Sequence, residues 1–301
     1  MRSEFTGLGT ALVTPFTAAG TVDEAAVARL ARRQVDAGVH FLVPCGTTGE
    51  TPTLSADERR RIVEIVAREA EGRALVMAGA GGYDTKSVVR AVETMADAGA
   101  DGILSVTPYY NKPTAEGLYQ HYKAIAESSS LPIVVYNVPG RTGCNVDPAT
   151  LARIATLRNI VGVKEASGNI GQMADICRLL PKDFIVLSGD DAVTVPLMAI
   201  GGRGVISVAS NEVPAEMVAM VEAAERGDFA EARTWHEKLL PLMQINFVES
   251  SPGPVKFALA AMGLCELAYR LPVVAPQAAS RQKILDVLRD LGLPIVAGGT
   301  A

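Results

Sequence analysis

The chain has 301 residues, 49% of them hydrophobic and 20% charged, which is enough apolar material for a sizeable core and excludes a disordered chain. Its net charge of −5 and pI near 5.4 leave no electrostatic footprint for nucleic acid, and the Arg59-Arg60-Arg61 cluster reads as a solvated helix face. No segment approaches eighteen uninterrupted apolar residues and Met1-Arg2-Ser3-Glu4-Phe5 lacks the apolar stretch of a leader, so the expectation is a soluble protein, neither exported nor membrane-bound.

Short apolar, β-branched runs alternate with helical patterns along the chain. A run near Leu8 precedes the helical spacing Val27-Leu30-Ala31-Val35. Another near Val39 leads to the capping box Ser55-x-x-Glu58 and the stripe Ile62-Val63-Val66. The third, near Ala74, ends in Gly79-Ala80-Gly81-Gly82, a tight strand-to-loop turn, and Val88-Val92-Met95-Ala96 follows. Runs near Asp101, Pro132 and Asn159 precede Leu118-Tyr122-Ile125, Leu151-Ile154-Ala155 and Met173-Ile176-Cys177-Leu180, with Asp147-Pro148 supplying a cap and a first-turn proline. The last two runs begin near Phe184 and Arg203. Gly38, Gly72 and Gly99 stand where helices should stop.

Continuously apolar runs such as Ile133-Val134-Val135-Tyr136 and Phe184-Ile185-Val186-Leu187 predict strands covered on both faces, as in a parallel sheet. Eight strand-helix units in about 225 residues fit a (β/α)8 barrel, the TIM barrel, better than a doubly wound sheet, because no GxGxxG follows an early strand. Beyond residue 226 the pattern turns helical over 228–248, 252–262 and 276–291. The predicted division is a catalytic barrel over 1–225 and a helical region over 226–301. The stripe Leu239, Leu240, Leu242 and Met243 suits either a subunit interface or plain core packing.

Cys45, Cys144, Cys177 and Cys265 are far apart without CxxC spacing, which predicts reduced thiols in a cytoplasm. His40, His121 and His236 are isolated from one another, so no metal centre is expected.

Barrel sites form at the C-terminal ends of the strands, and the polar residues of this chain collect there. The run Asn159-Ile-Val-Gly-Val-Lys164 ends in an amine. Burial disfavours an ammonium, so Lys164 is a candidate Schiff-base nucleophile. A pair with Glu165, or a head group reaching water, is the competing account. Tyr136, two positions after Val134 on the preceding strand, is positioned to share the lumen with that amine and is a candidate proton donor; a buried tyrosine hydrogen-bonded for structure is the competing account. Thr47 and Thr48 lie between Gly46 and Gly49, where hydroxyl and backbone donors suit a carboxylate. Arg141 lies in a Pro/Gly-bounded loop and suits a second carboxylate. Tyr109 and Tyr110 sit side by side on another loop, with one of them placed to face a partner subunit.

Gly46-Thr47-Thr48-Gly49-Glu50, Thr107-Pro108-Tyr109-Tyr110-Asn111, Tyr136-Asn137-Val138-Pro139-x-Arg141-Thr142-Gly143 and Gly162-Val163-Lys164-Glu165 together resemble the dihydrodipicolinate synthase family, from about Gly7 to the C-terminal helices. The resemblance implies a tetrameric barrel that condenses pyruvate with L-aspartate 4-semialdehyde in lysine biosynthesis, needing no cofactor beyond the lysine imine. On that resemblance Lys164 carries the imine, Tyr136 is the general acid/base, Thr47 relays the proton, and Tyr110 completes the relay from a neighbouring subunit. Thr48 binds the pyruvate carboxylate and Arg141 that of the aldehyde; Gly189 and Ile206 match pocket-lining positions.

Two departures stand out. Ser251 precedes Pro252-Gly253-Pro254-Val255-Lys256 where the family usually has asparagine, which implies altered loop hydrogen bonds. Ala56, Arg59 and Ser87 stand where lysine-inhibited relatives often place histidine and acidic groups, which implies weak or absent feedback by lysine. The competing readings are another pyruvate-lysine lyase, such as N-acetylneuraminate lyase or a 2-keto-3-deoxy sugar acid aldolase, and a catalytically silent small-molecule sensor on the same barrel. Thr48, Tyr110 and Arg141 favour the acidic aldehyde, and the intact lysine, tyrosine and threonine set argues against the sensor.

Overall fold

The computed structural model describes residues 5–296; the reading of residues 1–4 as free of a leader lies outside them. The eight apolar runs become β1 (Gly7–Ala11), β2 (Phe41–Val43), β3 (Leu75–Gly79), β4 (Gly102–Val106), β5 (Ile133–Asn137), β6 (Ile160–Glu165), β7 (Ile185–Ser188) and β8 (Gly204–Ser207). They close into one parallel barrel in sequence order, with β8 returning to β1. The predicted (β/α)8 architecture is thus the observed one.

Around it lie α1 (Glu24–Asp36), α2 (Ala56–Ala70), α3 (Thr85–Asp97), α4 (Ala115–Glu127), α5 (Pro139–Thr142), α6 (Pro148–Ile154), α7 (Ile170–Leu179), α8 (Thr194–Ala199) and α9 (Pro214–Glu225). The starts of α1, α2, α3, α4, α6 and α7 are fixed by side chains that satisfy the first free N–H groups. Ser55 and Glu58 form the full capping box at α2, and Asp147 caps α6 ahead of Pro148.

The helices α8 and α9 have no counterpart among the periodic stripes of the sequence. In α9 the reason is burial: Met217, Val218, Met220, Val221, Ala223 and Ala224 are all inside, since α10 (Phe229–Ile245) covers the outer side of α9. A helix covered on both sides has no polar face to set a 3.6-residue rhythm.

The region after the barrel continues with α11 (Gly253–Ala261) and α12 (Ala278–Asp290). Leu239, Leu242 and Met243 are buried in the chain's own core, so core packing accounts for that stripe; Leu240 is half-buried. Val255 and Leu259 of α11 pack with Val13, Leu30 and Val208, which seats this region on the barrel rim. Among the described residues no helix is long and apolar enough to cross a membrane.

Two apolar layers support the site. One lies between strands and helices. The other fills the barrel lumen with Phe41, Met77, Leu104, Val134, Leu187 and Ile206, stacked side chains that make the interior a packed core rather than a pore.

Candidate active site

A register shift after Ile133 brings Tyr136 level with Lys164 across β5 and β6. Alternation along the strands then sends both side chains into the lumen. Each is only 6% exposed, and the Lys164 Nζ lies 4.3 Å from the centre of the Tyr136 ring. The lumen around them is apolar, with Val134, Leu187 and Ile206 in the same buried cluster as Tyr136.

Glu165 does not pair with Lys164. One step along β6 turns it to the outer face, where Oε2 accepts from Asn137 Nδ2 at 2.8 Å and Oε1 from the Ser167 N–H at 2.7 Å. Among the described residues no carboxylate forms an ion pair with Lys164, and its buried head opens on a cavity instead. This disposes of the competing account of a lysine neutralised by its sequence neighbour.

That cavity, about 160 Å³, is lined by Thr47, Thr48, Tyr136, Arg141, Lys164 and Gly189, together with Val138, Ala166, Asp190, Val208, Phe247 and Ser251. Six of the eight residues singled out from sequence therefore converge. Ile206 does not line the cavity but belongs to the apolar cluster of the lumen, 1% exposed. Tyr110 stands apart on the surface, 88% exposed, with a backbone φ of 69°.

Thr47 and Thr48 lie on a one-turn 3-10 helix, Thr47–Gly49, with Thr48 buried and Thr47 open to solvent. The turn is bounded by two non-glycine residues in the left-handed region, Cys45 at φ 57° and Glu50 at φ 52°. Such conformations persist only where the surroundings enforce them, and they gather at functional sites. Here Thr51 Oγ1 donates to the Gly46 carbonyl and Thr14 Oγ1 to that of Gly49, both at 2.8 Å. Gly79 lets the turn approach: a Cβ there would sit 1.9 Å from the Cys45 carbonyl oxygen. The Gly79-Ala80-Gly81-Gly82 run is therefore a close-packing device.

Arg141 projects from α5, a single turn that ends at Gly143 with φ 69°. Thr142 Oγ1 spans the loop to the carbonyls of Val138 and Cys144, and Arg141 forms no ion pair among the described residues. A guanidinium held at a cavity edge without a partner suits an anionic ligand.

Sequence reasoning missed Phe247, because nothing in a mainly helical stretch announces that one of its residues returns to the barrel mouth. Ser251, which the sequence marks only as a change in loop bonding, stands on the cavity wall and so contributes to the site's shape. A second lysine, Lys256, is buried even more deeply, at 1%. Burial holds its ammonium below the ordinary lysine value, against the pull of Glu50. It is paired with Glu50 and does not line the cavity, so of the two buried amines only Lys164 is placed to meet a ligand. No group of three or more His, Cys, Asp or Glu gathers as a metal site among the described residues, and the four cysteines are free thiols.

Residues 4–291 match the model of the dihydrodipicolinate synthetase family. A 4-hydroxy-tetrahydrodipicolinate synthase from Koribacter versatilis (strain Ellin345) is 51% identical over 288 residues, 95% of this chain and 96% of that protein. Among solved structures, dihydrodipicolinate synthase from Aquifex aeolicus superposes with a TM-score of 0.95 at 41% identity, covering 97% of this chain and all of the other. The enzyme of that name from Thermotoga maritima also gives 0.95, at 46% identity and 97% coverage of this chain against 100% of its own.

Proposed function

The chain belongs to the dihydrodipicolinate synthetase family, and on that premise we propose that it is a Schiff-base lyase joining pyruvate to L-aspartate 4-semialdehyde to give 4-hydroxy-tetrahydrodipicolinate. The observation that carries the reading is the Lys164 amine, unpaired with any carboxylate among the described residues and set beside the Tyr136 ring in the pocket at the barrel mouth.

The Lys164 nitrogen attacks the keto carbon of pyruvate, forming a C–N bond while the carbonyl oxygen takes a proton. Tyr136 delivers that proton and assists loss of water to the imine, with Thr47 as relay. Thr48 receives the pyruvate carboxylate. Loss of a methyl proton turns the imine into an enamine, whose carbon attacks the aldehyde carbon; the new alkoxide is protonated. Arg141 holds the carboxylate of the aldehyde substrate. The amino group brought by the aldehyde substrate then attacks the imine carbon and closes the ring; a proton passes from it to the Lys164 nitrogen, which is expelled as the free amine, regenerating the enzyme. The imine is its own electron sink, so the sequence of steps draws on no external cofactor or metal.

Tyr110 is assigned to the proton relay of a neighbouring subunit, since its ring is exposed and lies outside its own chain's cavity; the assembly proposed is a homotetramer. Gly189 and Ile206 shape the pocket. Catalysis is assigned to the barrel over 1–225 and one wall of the pocket to the helical region over 226–301. Free, separated cysteines accord with work in the cytoplasm.

The deciding experiment is borohydride reduction with pyruvate, followed by peptide mass spectrometry. A pyruvate-derived adduct on Lys164, lost in Lys164→Ala together with more than about 10³-fold of the condensation rate, is the expected result. Absence of an adduct would return the barrel to a sensor role, and faster cleavage of sialic acid than condensation with the semialdehyde would reassign the substrate.

A further inference from the structure

The threonine turn and the C-terminal wall of the cavity come from distant parts of the chain, and one buried ion pair joins them. Glu50 ends the turn in the left-handed conformation and has no exposed side-chain surface. Its Oε1 accepts from Lys256 Nζ, and its Oε2 from the Arg270 N–H at 3.3 Å. Lys256 follows the stretch carrying Phe247 and Ser251 into the cavity. Its Nζ lies 4.2 Å from the Phe16 ring centre and 5.1 Å from that of Tyr269. Arg270 extends the link, donating to the carbonyls of Gly20 and Thr53, both at 2.9 Å, and to Glu58.

We propose that Glu50 and Lys256 are positioning residues, whose buried pair sets the distance of Thr47 and Thr48 from Lys164 by clamping the turn to the C-terminal wall. The claim rests on the imine reading given above. The other side-chain ties of the turn, from Thr14, Thr51 and Thr53, stay within the first barrel units; none of them reaches the C-terminal region. Stability alone does not require the pair, because well-packed apolar residues commonly replace a buried ion pair without loss. What an ion pair adds is direction: the carboxylate must meet Nζ and the Arg270 amide at once, which fixes the rotation of the turn. The C-terminal helices thereby hold the donors of the pyruvate carboxylate, whereas Arg141, on a loop after β5, stands outside the clamp.

The test uses Glu50→Gln and the double variant Glu50→Gln/Lys256→Met, which removes both charges, in the full chain. Melting midpoint, borohydride trapping, and kcat/KM for each substrate are measured after the unaltered protein has been trapped by pyruvate at Lys164. The expected result for the double variant is a midpoint near that of the parent with kcat/KM for pyruvate lowered about tenfold to a hundredfold, since a misplacement near 1 Å costs up to about that factor. KM for the aldehyde should stay within about twofold. A purely structural pair would move both substrates together, or stability alone. Pyruvate kinetics within about twofold of the parent in either folded variant, or equal losses for the two substrates, overturns the proposal. Glu50→Gln keeps the volume of the side chain and decides the matter by the same criteria if the double variant melts below assay temperature. Failure to trap the unaltered protein would strike the imine reading itself, which keeps the two failures apart.

Discussion

Gly189→Ala tests how closely the site is packed around its amine. A Cβ at this position would lie 2.5 Å from the Ala166 Cβ, 3.2 Å from Lys164 Cε and 3.2 Å from the Glu165 carbonyl oxygen. Carbon atoms settle at about 3.5–4.0 Å, so the overlap with Ala166 is roughly 1 Å or more and that with Lys164 a few tenths. The Gly189 N–H donates to the Glu165 carbonyl at 2.8 Å, which ties the β7 end to β6 and stops the backbone from retreating freely. Relief must therefore come from moving the end of β6 or the lysine stem. Overpacking of this kind costs about 1–3 kcal/mol, equivalent to a fall of roughly 2–6 °C in melting midpoint for a chain of this size. Displacing the amine by up to about 1 Å should lower kcat/KM about 10²-fold. Thermal melts and a coupled assay with the two proposed substrates measure the two effects. Gly140→Ala, where nothing lies within 4 Å of the added Cβ, should melt no lower than the parent. A Gly189→Ala protein with the parent's midpoint and a rate within about threefold would refute the packing argument.

Loss of the guanidinium in Arg141→Ala should raise KM for the aldehyde by about 10–100-fold, the value of a charge-assisted hydrogen bond of about 1.5–3 kcal/mol, while borohydride trapping of pyruvate continues; unchanged aldehyde kinetics would remove the clamp. Hydrogen bonding to Arg270 lowers the Glu58 carboxyl to about 2 from an ordinary 4.5. Because the folded value is the depressed one, this link stabilises fully above about pH 4.5 and is lost as pH falls toward about 2. Glu58→Gln should flatten acid-melting curves in that window, and a slope identical to the parent's would contradict the assignment. Arg59 lines the rim cleft near Tyr109, and Ser87 is engaged by Asp84. With these residues in place of histidine and acidic partners, millimolar lysine should inhibit weakly or not at all. Strong inhibition at sub-millimolar lysine would reverse that expectation.

Much of the fold was legible because each barrel unit writes itself locally: an apolar run, a capped amphipathic helix, a glycine stop. The capping box at Ser55 and the cap at Asp147 fall where the sequence placed them. The exceptions have physical causes. In α9 burial on nearly every face erased the periodicity, and α8 is six residues long, too short to show one. For the site, strand-end position sufficed to nominate Lys164, Tyr136, Thr47, Thr48 and Arg141, since in a parallel barrel all strand ends open on one face, whereas Gly189 came only from the family resemblance. Phe247 reaches that face only through the packing of the appended helices.

The amino-acid order alone determined the eight-fold repeat and the polar ring at the strand ends, because these follow from the alternation of apolar runs with 3.6-residue helical stripes along a single chain. Tertiary structure decided which of two buried lysines has a carboxylate partner. Glu165, adjacent to Lys164, turns away to Asn137, while Glu50, more than two hundred positions from Lys256, meets it in the core. A pairing between charges depends on distance in space and on the face each side chain takes, neither of which separation along the chain encodes.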